Sequence, residues 1–326
     1  MVKTEICNTD VLLKKTVHKE RKKEGFLYEL NKNKVMFLMI APVLIYFIIF
    51  SYLPMVGVYF AFTRFNFNDG LFGSPFVGLE NFKYLFTSGT LLKLTKNTLL
   101  YNLTFIFLGN SLQILVAILL SRVGSRVFKK LTQSLMFFPY FVSFVIVQAF
   151  LYTMLDSNTG MITHIVKSMG VETFNAYSTP GIWKYILVLV YLWKWVGYGT
   201  VIYLAALTSI SDEYYEAADI DGATILQQIR YITLPLLMPT FIILLLLAIG
   251  HILRGQFEMF YQLIGNNGLL YDATDILDTY VFRTLRVTFD LGIGTAAGLY
   301  QSLFGFVMIM VVNYIIRKKN DDYALF

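Results

Sequence analysis

Residues Glu213 to Pro239 read EYYEAADIDGATILQQIRYITLPLLMP and lie between two long apolar runs. With Asp212 just before it, the segment sets five acids against the single Arg230. Ser209 or Ser211 is placed to act as an N-cap, with Asp212, Glu213 and Glu216 in the first turns, where carboxylates favour the helix dipole. A short helix is therefore expected from about Asp212. Ala217 and Ala218 keep one stretch of it free of bulk, so another surface can approach its backbone, and Asp221-Gly222 marks a turn. A second helical piece from Ala223 to Tyr231 leads to Leu234-Pro235, where a missing N–H costs little at a helix start. Pro239 then bends the way into the next apolar run. A solvated hairpin joining two helices is the simplest explanation. The acidic excess and the helix-turn-helix order fit a docking surface for another protein better.

The rest of the chain says where that surface sits. The 326 residues are 56% apolar and only 15% charged, with a mean hydropathy of +0.60, a composition of integral membrane proteins. No charge occurs from Val35 to Thr63, Asn97 to Ser121, Leu131 to Leu155, Trp195 to Ser211, Tyr231 to Leu253, or Leu291 to Ile316. A bilayer core takes roughly 20 helical residues. Five of the stretches meet that length, and the fourth does so if it starts near Ile182 and carries Lys194 inside it. The expected fold is an all-α membrane protein of six transmembrane helices, at about 35–62, 97–121, 131–155, 183–207, 235–254 and 291–316. The acidic segment occupies the loop 208–234 between the fourth and fifth.

Lysines and arginines number seventeen on the side of that loop and both chain ends, and eight on the other. The positive-inside rule puts the termini, 1–34 and 317–326, and the acidic loop in the cytoplasm. The basic start is too long, and the apolar run after it too extended, for a secretory signal, so a retained first span is expected. Lys14 to Lys23, with Val11, Leu12, Leu13 and Val17, allows either a helix lying on anionic lipid or a solvated tail. On the outward side, NDGLFGSPFVGLENF reads as turns followed by a short aromatic helix, Asn81 to Phe86. The loop from Gln256 to Asp290 is long enough for short helices at the outer mouth. No fixed-period repeat is present.

Several chemistries are excluded. Cys7 is the only cysteine, so no disulfide framework or cysteine-based metal site exists. No glycine is followed by lysine, so a P-loop is absent and any ATP or Mg must be bound by a partner. The histidines His18, His164 and His251 fall on different sides, and neither H-E-x-x-H nor G-x-S-x-G occurs. Neither a catalytic centre, a resident cofactor, a metal nor a nucleic-acid partner is expected. An ion-coupled secondary transporter would need midspan charges and paired broken helices; only Lys194 fits, and the acidic loop would go unexplained.

Glu216, Ala217, Ala218, Gly222, Ile232, Leu234 and Pro235 keep the spacing Glu-Ala-Ala, three residues, Gly, nine residues, Ile, one residue, Leu-Pro. This resembles the EAA loop of inner-membrane permease subunits of binding-protein-dependent ABC importers. PFVGLENFKYLF, GTVIYLAALTSI, DILDTYVFRT and TAAGLYQSLFGFVMIMVVNYIIRK resemble the carbohydrate-uptake branch, of the multiple-sugar or polysaccharide type, over roughly 35–326. The resemblance implies a lever, with Glu216, Ala217, Ala218, Asp221, Gly222 and Pro235 coupling to a cytoplasmic ATP-binding subunit dimer. It also implies a second homologous permease, an extracellular solute-binding lipoprotein and a carbohydrate, with a non-sugar solute as the alternative cargo. Where carbohydrate permeases often carry basic residues after the glycine, this chain has Ile225, Gln227 and Gln228 and keeps Arg230.

A sugar site needs flat apolar faces together with amide and hydroxyl partners. Candidates along the spans are Asn102, Asn110 and Gln113, then Tyr140 and Gln148, then Tyr191, Trp193, Trp195, Tyr198 and Tyr203. Packing or interfacial anchoring competes for each aromatic, and helix-to-helix hydrogen bonding for each amide. Lys194, between two tryptophans, is expected to face an acid, a backbone carbonyl, a sugar or the membrane surface. His251, Arg254 and Glu258 share one face at the outer mouth if the fifth helix continues outward.

Overall fold

The structure is a computed structural model and describes residues 31–170 and 174–319. The basic tail, with Cys7, His18 and the Lys14–Lys23 segment, lies outside the described residues, as does the end of the C-terminal tail. Two compact units meet at Gly57–Val58. In the first, α1 (Lys34–Phe47) runs into a π turn at Ile48–Tyr52, with no buried side chain on either.

The second unit holds everything else. Its described residues form helices and one isolated antiparallel bridge, Thr63 to Phe76. A short amphipathic helix, α2 (Glu80–Thr87), buries Leu85. Then comes α3 (Thr90–Ser121), which starts after Gly89 at φ 70° and is uninterrupted by proline. The 29 residues of α6 (Pro180–Thr208) begin with proline in the first turn, where its fixed φ suits a helix and its missing N–H leaves nothing unpaired. At 1.5 Å per residue it is ~44 Å long and spans a bilayer core with Lys194 inside it. The last helix, α12 (Leu291–Lys319), is equally long.

The expected third span is two helices. Between α4 (Arg126–Phe141) and α5 (Phe144–Leu155) the chain turns by 90°. Local chemistry explains the break: Pro139 removes a donor near the end of α4, Val142 turns to an extended conformation, and Ser143 caps α5 by accepting from the Ile146 N–H at 3.4 Å. Five helices among the described residues are long and apolar enough to cross a bilayer, and the bent pair taken as one crossing makes six.

The acidic segment forms α7 (Glu213–Ile220), a turn at Gly222 with φ 75°, and α8 (Ile225–Gln228), which opens with a Thr224/Gln227 capping box. A π turn at Ile229–Thr233 joins α8 to α9 (Leu234–Gly250). The fifth span is therefore continuous from Ile225 to Gly250, and Pro235 sits in the first α-helical turn after the π turn instead of at a fresh start. Beyond α9 come α10 (Phe257–Ile264) and α11 (Leu277–Arg286).

Three apolar clusters hold the unit together. At the acidic-loop end, Ile118, Tyr203, Leu204 and Leu237 join α3, α6 and α9. A second cluster packs Phe105, Phe144, Leu187 and Phe260, and a third packs Leu91, Leu253, Leu277 and Ala296 at the other end. Most large apolar side chains along the spans stay exposed, as they do on helices solvated by lipid. The backbones of α6 and α4 approach closely: a Cβ built on Gly197 would fall 1.8 Å from the Met136 carbonyl oxygen.

Candidate coupling loop and intramembrane site

The acidic loop is closed at its start by serines. Ser209 Oγ donates to the Ala206 carbonyl at 2.7 Å and finishes α6, and Ser211 Oγ accepts from the Glu213 N–H at 3.4 Å and opens α7. Glu216, Ala217, Asp221, Gly222 and Pro235 are exposed, and Ala218 is half-buried. Beside them Ile220 is 87% exposed and Leu226 75% exposed. Apolar side chains bared next to a small-residue helix, on a segment too polar for lipid, make an unpartnered contact face. The sequence pattern singled out the acids and alanines and missed these apolar members.

Internal bonds tie the loop to its surroundings. Buried Gln228 donates to Asp219 Oδ1 at 2.5 Å. Tyr215 and Thr233 share a hydroxyl hydrogen bond at 3.1 Å, and the Arg122 guanidinium lies 5.1 Å from the centre of the Tyr215 ring.

Within the membrane region, Lys194 meets the break between α4 and α5. Its Nζ donates to the carbonyls of Pro139 at 3.5 Å, Tyr140 at 2.9 Å and Val142, where the helix ends; the Pro139 carbonyl also accepts from the Val142 N–H at 3.1 Å. A cation there also meets the negative end of the helix dipole. The Phe144 ring lies 4.8 Å from the ammonium, and Glu258 contributes a longer-range attraction. Around this pin the aromatics gather: Tyr140 stacks on Tyr198 at 4.8 Å and 16°, and Trp195 meets Tyr140 edge-on at 5.4 Å. The buried Trp195 Nε1 has no acceptor among the described residues.

The remaining candidates separate. Asn102 Nδ2 donates to the carbonyls of Ile252 and Arg254 at 2.8 and 3.3 Å. Asn110 accepts from the Tyr203 hydroxyl at 2.7 Å, and Gln113 donates to the Trp195 carbonyl at 3.3 Å. Asn110 and Gln113 stitch α3 to α6, and Asn102 ties α3 to the segment that follows α9. Tyr191 stacks on Phe105 at 4.0 Å inside the core. Trp193 faces an apolar groove of about 840 Å³ between α3 and α6, on the side away from the break. Gln148 is half-buried on α5.

His251, Arg254 and Glu258 do not share a helical face, because α9 stops at Gly250. The Asn102 amide holds two carbonyls of the following segment, and Asp278 Oδ2 accepts from the Gly255 N–H at 2.6 Å, so the backbone is pulled out of the helix. His251 and Arg254 instead line a polar pocket of about 420 Å³ with Asp278 and Gln301, while Glu258 belongs to α10. Burial raises the Asp278 carboxyl above the usual range, against the opposing pull of its bonds from Gly255 and Gln301. Nearby, Arg283 pairs with Asp275 at 2.5 Å and lies 4.0 Å from the Tyr271 ring. An exposed bond from Lys93 holds the Asp272 carboxyl below its ordinary value. No cluster of three metal-ligating side chains occurs among the described residues.

Together these features define a multi-pass helical membrane protein with a bare helix-turn-helix at one end and a broken helix pinned by a buried lysine within. The chain belongs to the binding-protein-dependent transport system inner membrane components, whose family model matches residues 109–321. It is 35% identical to the polygalacturonan/rhamnogalacturonan transport system permease protein YteP of Bacillus subtilis, across 94% of this chain and 95% of the relative. It is 28% identical to the arabinooligosaccharides transport system permease protein AraP of Halalkalibacterium halodurans, across 94% and 96%. A crystal structure of a bacterial alginate ABC transporter, in complex with an alginate pentasaccharide-bound periplasmic protein, contains a chain of the same fold. That chain matches with a TM-score of 0.80 and 30% identity, covering 90% of this chain and 98% of that one.

Proposed function

We propose that this chain is the permease subunit of an ATP-driven carbohydrate importer and forms half of the path for an oligosaccharide. The family match over 109–321, which takes in the whole acidic loop, carries the reading. The relatives' names supply the sugar class, and the periplasmic protein in the alginate complex supports a solute-binding lipoprotein as partner. A second homologous permease completes the path. The seventeen-to-eight charge bias supports cytoplasmic termini and a cytoplasmic loop.

In this reading Glu216, Ala217, Ala218, Asp221, Gly222 and Pro235 meet a separate ATPase dimer, which binds ATP and Mg. Ala217 permits close approach, Glu216 offers a charge-assisted hydrogen bond, and Ile220 and Leu226 supply apolar area that offsets the sparse basic charge after Gly222. The subunit itself catalyses nothing; it converts closure of the ATPase into motion of the spans. Tyr140, Trp195 and Tyr198 offer the flat faces that a pyranose needs, with Lys194 holding the break beside them. Asn110 and Gln113 act as helix-to-helix fasteners beside this path, and Asn102 ties α3 to the segment that follows α9.

Uptake by cells lacking the chain, and by cells given it back, tests the reading on a panel of neutral and uronic oligosaccharides. Loss and recovery of uptake for at least one glycan is expected. Unchanged uptake of every glycan, with loss of a non-sugar solute, overturns the sugar assignment.

A further inference from the structure

Asp221-Gly222 poses a mechanical problem. Gly222 has a left-handed backbone and nothing within 4 Å of its Cβ position, and the turn is closed by backbone bonds from the Gly222 N–H to the Asp219 carbonyl at 3.1 Å and from the Ala223 N–H to the Ala218 carbonyl at 2.9 Å. Displacement of α7 must cross this turn to reach the fifth span, so side chains that also bridge it matter.

Two bridges are present. Asp219 and Gln228 stand on opposite sides of the turn, and the 2.5 Å bond between them spans it directly; Gln228 Nε2 also donates to the Ala223 carbonyl, on its own side of the turn, at 3.5 Å. Gln228 is 2% exposed, so losing its exposed partner Asp219 would strand a buried amide. The second bridge skips α8 altogether. Tyr215 on α7 reaches the hydroxyl of Thr233, the last residue of the π turn, and Thr233 Oγ1 in turn donates to the Gln228 carbonyl at 3.4 Å. Thr233 is also 2% exposed. Arg122, just past the end of α3, covers the Tyr215 ring.

Gln228 and Thr233 are buried and Tyr215 is half-buried, while Asp219, Glu216 and Ile220 are exposed. A π turn is a strained, irregular point in a helix and a common place for register to change. The bonds therefore lead from the contact face to the one place at the foot of the fifth span where helix geometry is already irregular.

We propose that Tyr215, Asp219, Gln228 and Thr233 are positioning residues that brace the loop across the Gly222 turn, so that displacement of α7 reaches the π turn at Ile229–Thr233. The proposal rests on reading the loop as the ATPase contact and adds how the contact is transmitted. It distinguishes two kinds of loop residue: Glu216 binds, and the braces convey.

The test uses the complete transporter, with both permeases and the ATPase, in proteoliposomes, reading sugar uptake per ATP hydrolysed and the amount of ATPase that co-purifies. Tyr215→Phe keeps the ring under Arg122 and removes one hydroxyl; Gln228→Ala removes the other brace. Both are expected to retain the ATPase and to lose roughly tenfold in uptake per ATP, a typical size for a lost coupling. Asp219→Asn keeps an acceptor and is expected to stay near wild type, whereas Asp219→Ala behaves as Gln228→Ala. An unchanged ratio in both Tyr215→Phe and Gln228→Ala overturns the proposal, as does loss of ATPase binding by Tyr215→Phe, which would make it a contact residue. Glu216→Lys in parallel separates the two levels: if it keeps full ATPase binding and uptake, the docking reading itself fails, whatever the brace variants do.

Discussion

The α-carbon of Gly197 lies so close to the Met136 carbonyl that an added methyl would sit 1.8 Å from the oxygen. Backbone cannot swing aside as a side chain does, so Gly197→Ala must push α6 and α4 apart. Overpacking of this kind costs about 1–3 kcal/mol or more. Gly199 gives the comparison, since its added methyl would meet the Gln113 side chain at 2.1 Å, a group able to change rotamer. The thermal midpoint of the detergent-purified protein is expected to fall further for Gly197→Ala than for Gly199→Ala. Equal midpoints would show that the two helices are not rigidly apposed.

Lys194 depends on that apposition, because the carbonyls it caps follow Met136 by a few residues. Lys194→Met keeps the length of the side chain and removes its donors, so the Tyr140 and Val142 carbonyls at the break lose the ammonium at about 1–3 kcal/mol each, while the Pro139 carbonyl keeps the Val142 N–H. A lower midpoint and weaker uptake are expected together, with Lys194→Arg recovering part of both. Uptake that survives Lys194→Met at wild-type KM removes Lys194 from the essential path. A raised KM with an unchanged midpoint would make it a sugar ligand instead of a structural pin.

Charge-free intervals in the sequence are informative because membrane insertion itself responds to charge, and five helices among the described residues, or six with the bent pair taken as one, are long and apolar enough to cross a bilayer. The fourth interval, short when counted from Trp195, reaches spanning length only with Lys194 inside it; α6 does carry Lys194 there, satisfied by carbonyls of α4, a tertiary fact that no local pattern carries. The 90° break did leave a trace in Pro139 and Ser143, a helix-ending and a helix-starting residue four apart. His251, Arg254 and Glu258 scattered because Asn102, on a helix 150 residues earlier, holds the backbone open. For the acidic loop, the helix, the glycine turn and the second helix were all legible, being local chemistry. Neither the π turn nor the Tyr215–Thr233 bond was, because each depends on which faces meet after folding.

Asp278 gives the α11 segment a pH dependence whose sign follows from burial. Its pKa is raised on folding, so the folded chain holds this proton more tightly than the unfolded chain does. The resulting stability is fully present below the ordinary carboxylate range and is lost as pH rises through the raised value. Asp278→Asn cannot ionise and is expected to flatten the fall in thermal midpoint from acid to neutral pH in detergent. It also exchanges one acceptor oxygen for an amide, so a modest pH-independent loss accompanies the change. A slope identical to wild type would assign the dependence to another group.

Glu216 offers the sharpest separation of folding from coupling. Its side chain is exposed on α7, outside every apolar cluster and outside the Asp219–Gln228 and Tyr215–Thr233 bonds. Reversing its charge should therefore leave insertion and the thermal midpoint unchanged, within the small range of surface substitutions. If the loop docks on the ATPase as proposed, the effect falls on that surface, where a carboxylate's charge-assisted bond becomes a repulsion at a close contact. Glu216→Lys is expected to abolish sugar-stimulated ATP hydrolysis and uptake in the assembled transporter. Gly222→Ala acts differently, because its cost is backbone strain at φ 75° with open space around the new methyl, about 1–2 kcal/mol. It should lower loop stability and weaken uptake only in part. Normal transport by Glu216→Lys would sink the docking model, and an equal loss in both variants would point to the shape of the loop, not its charge, as what the ATPase reads.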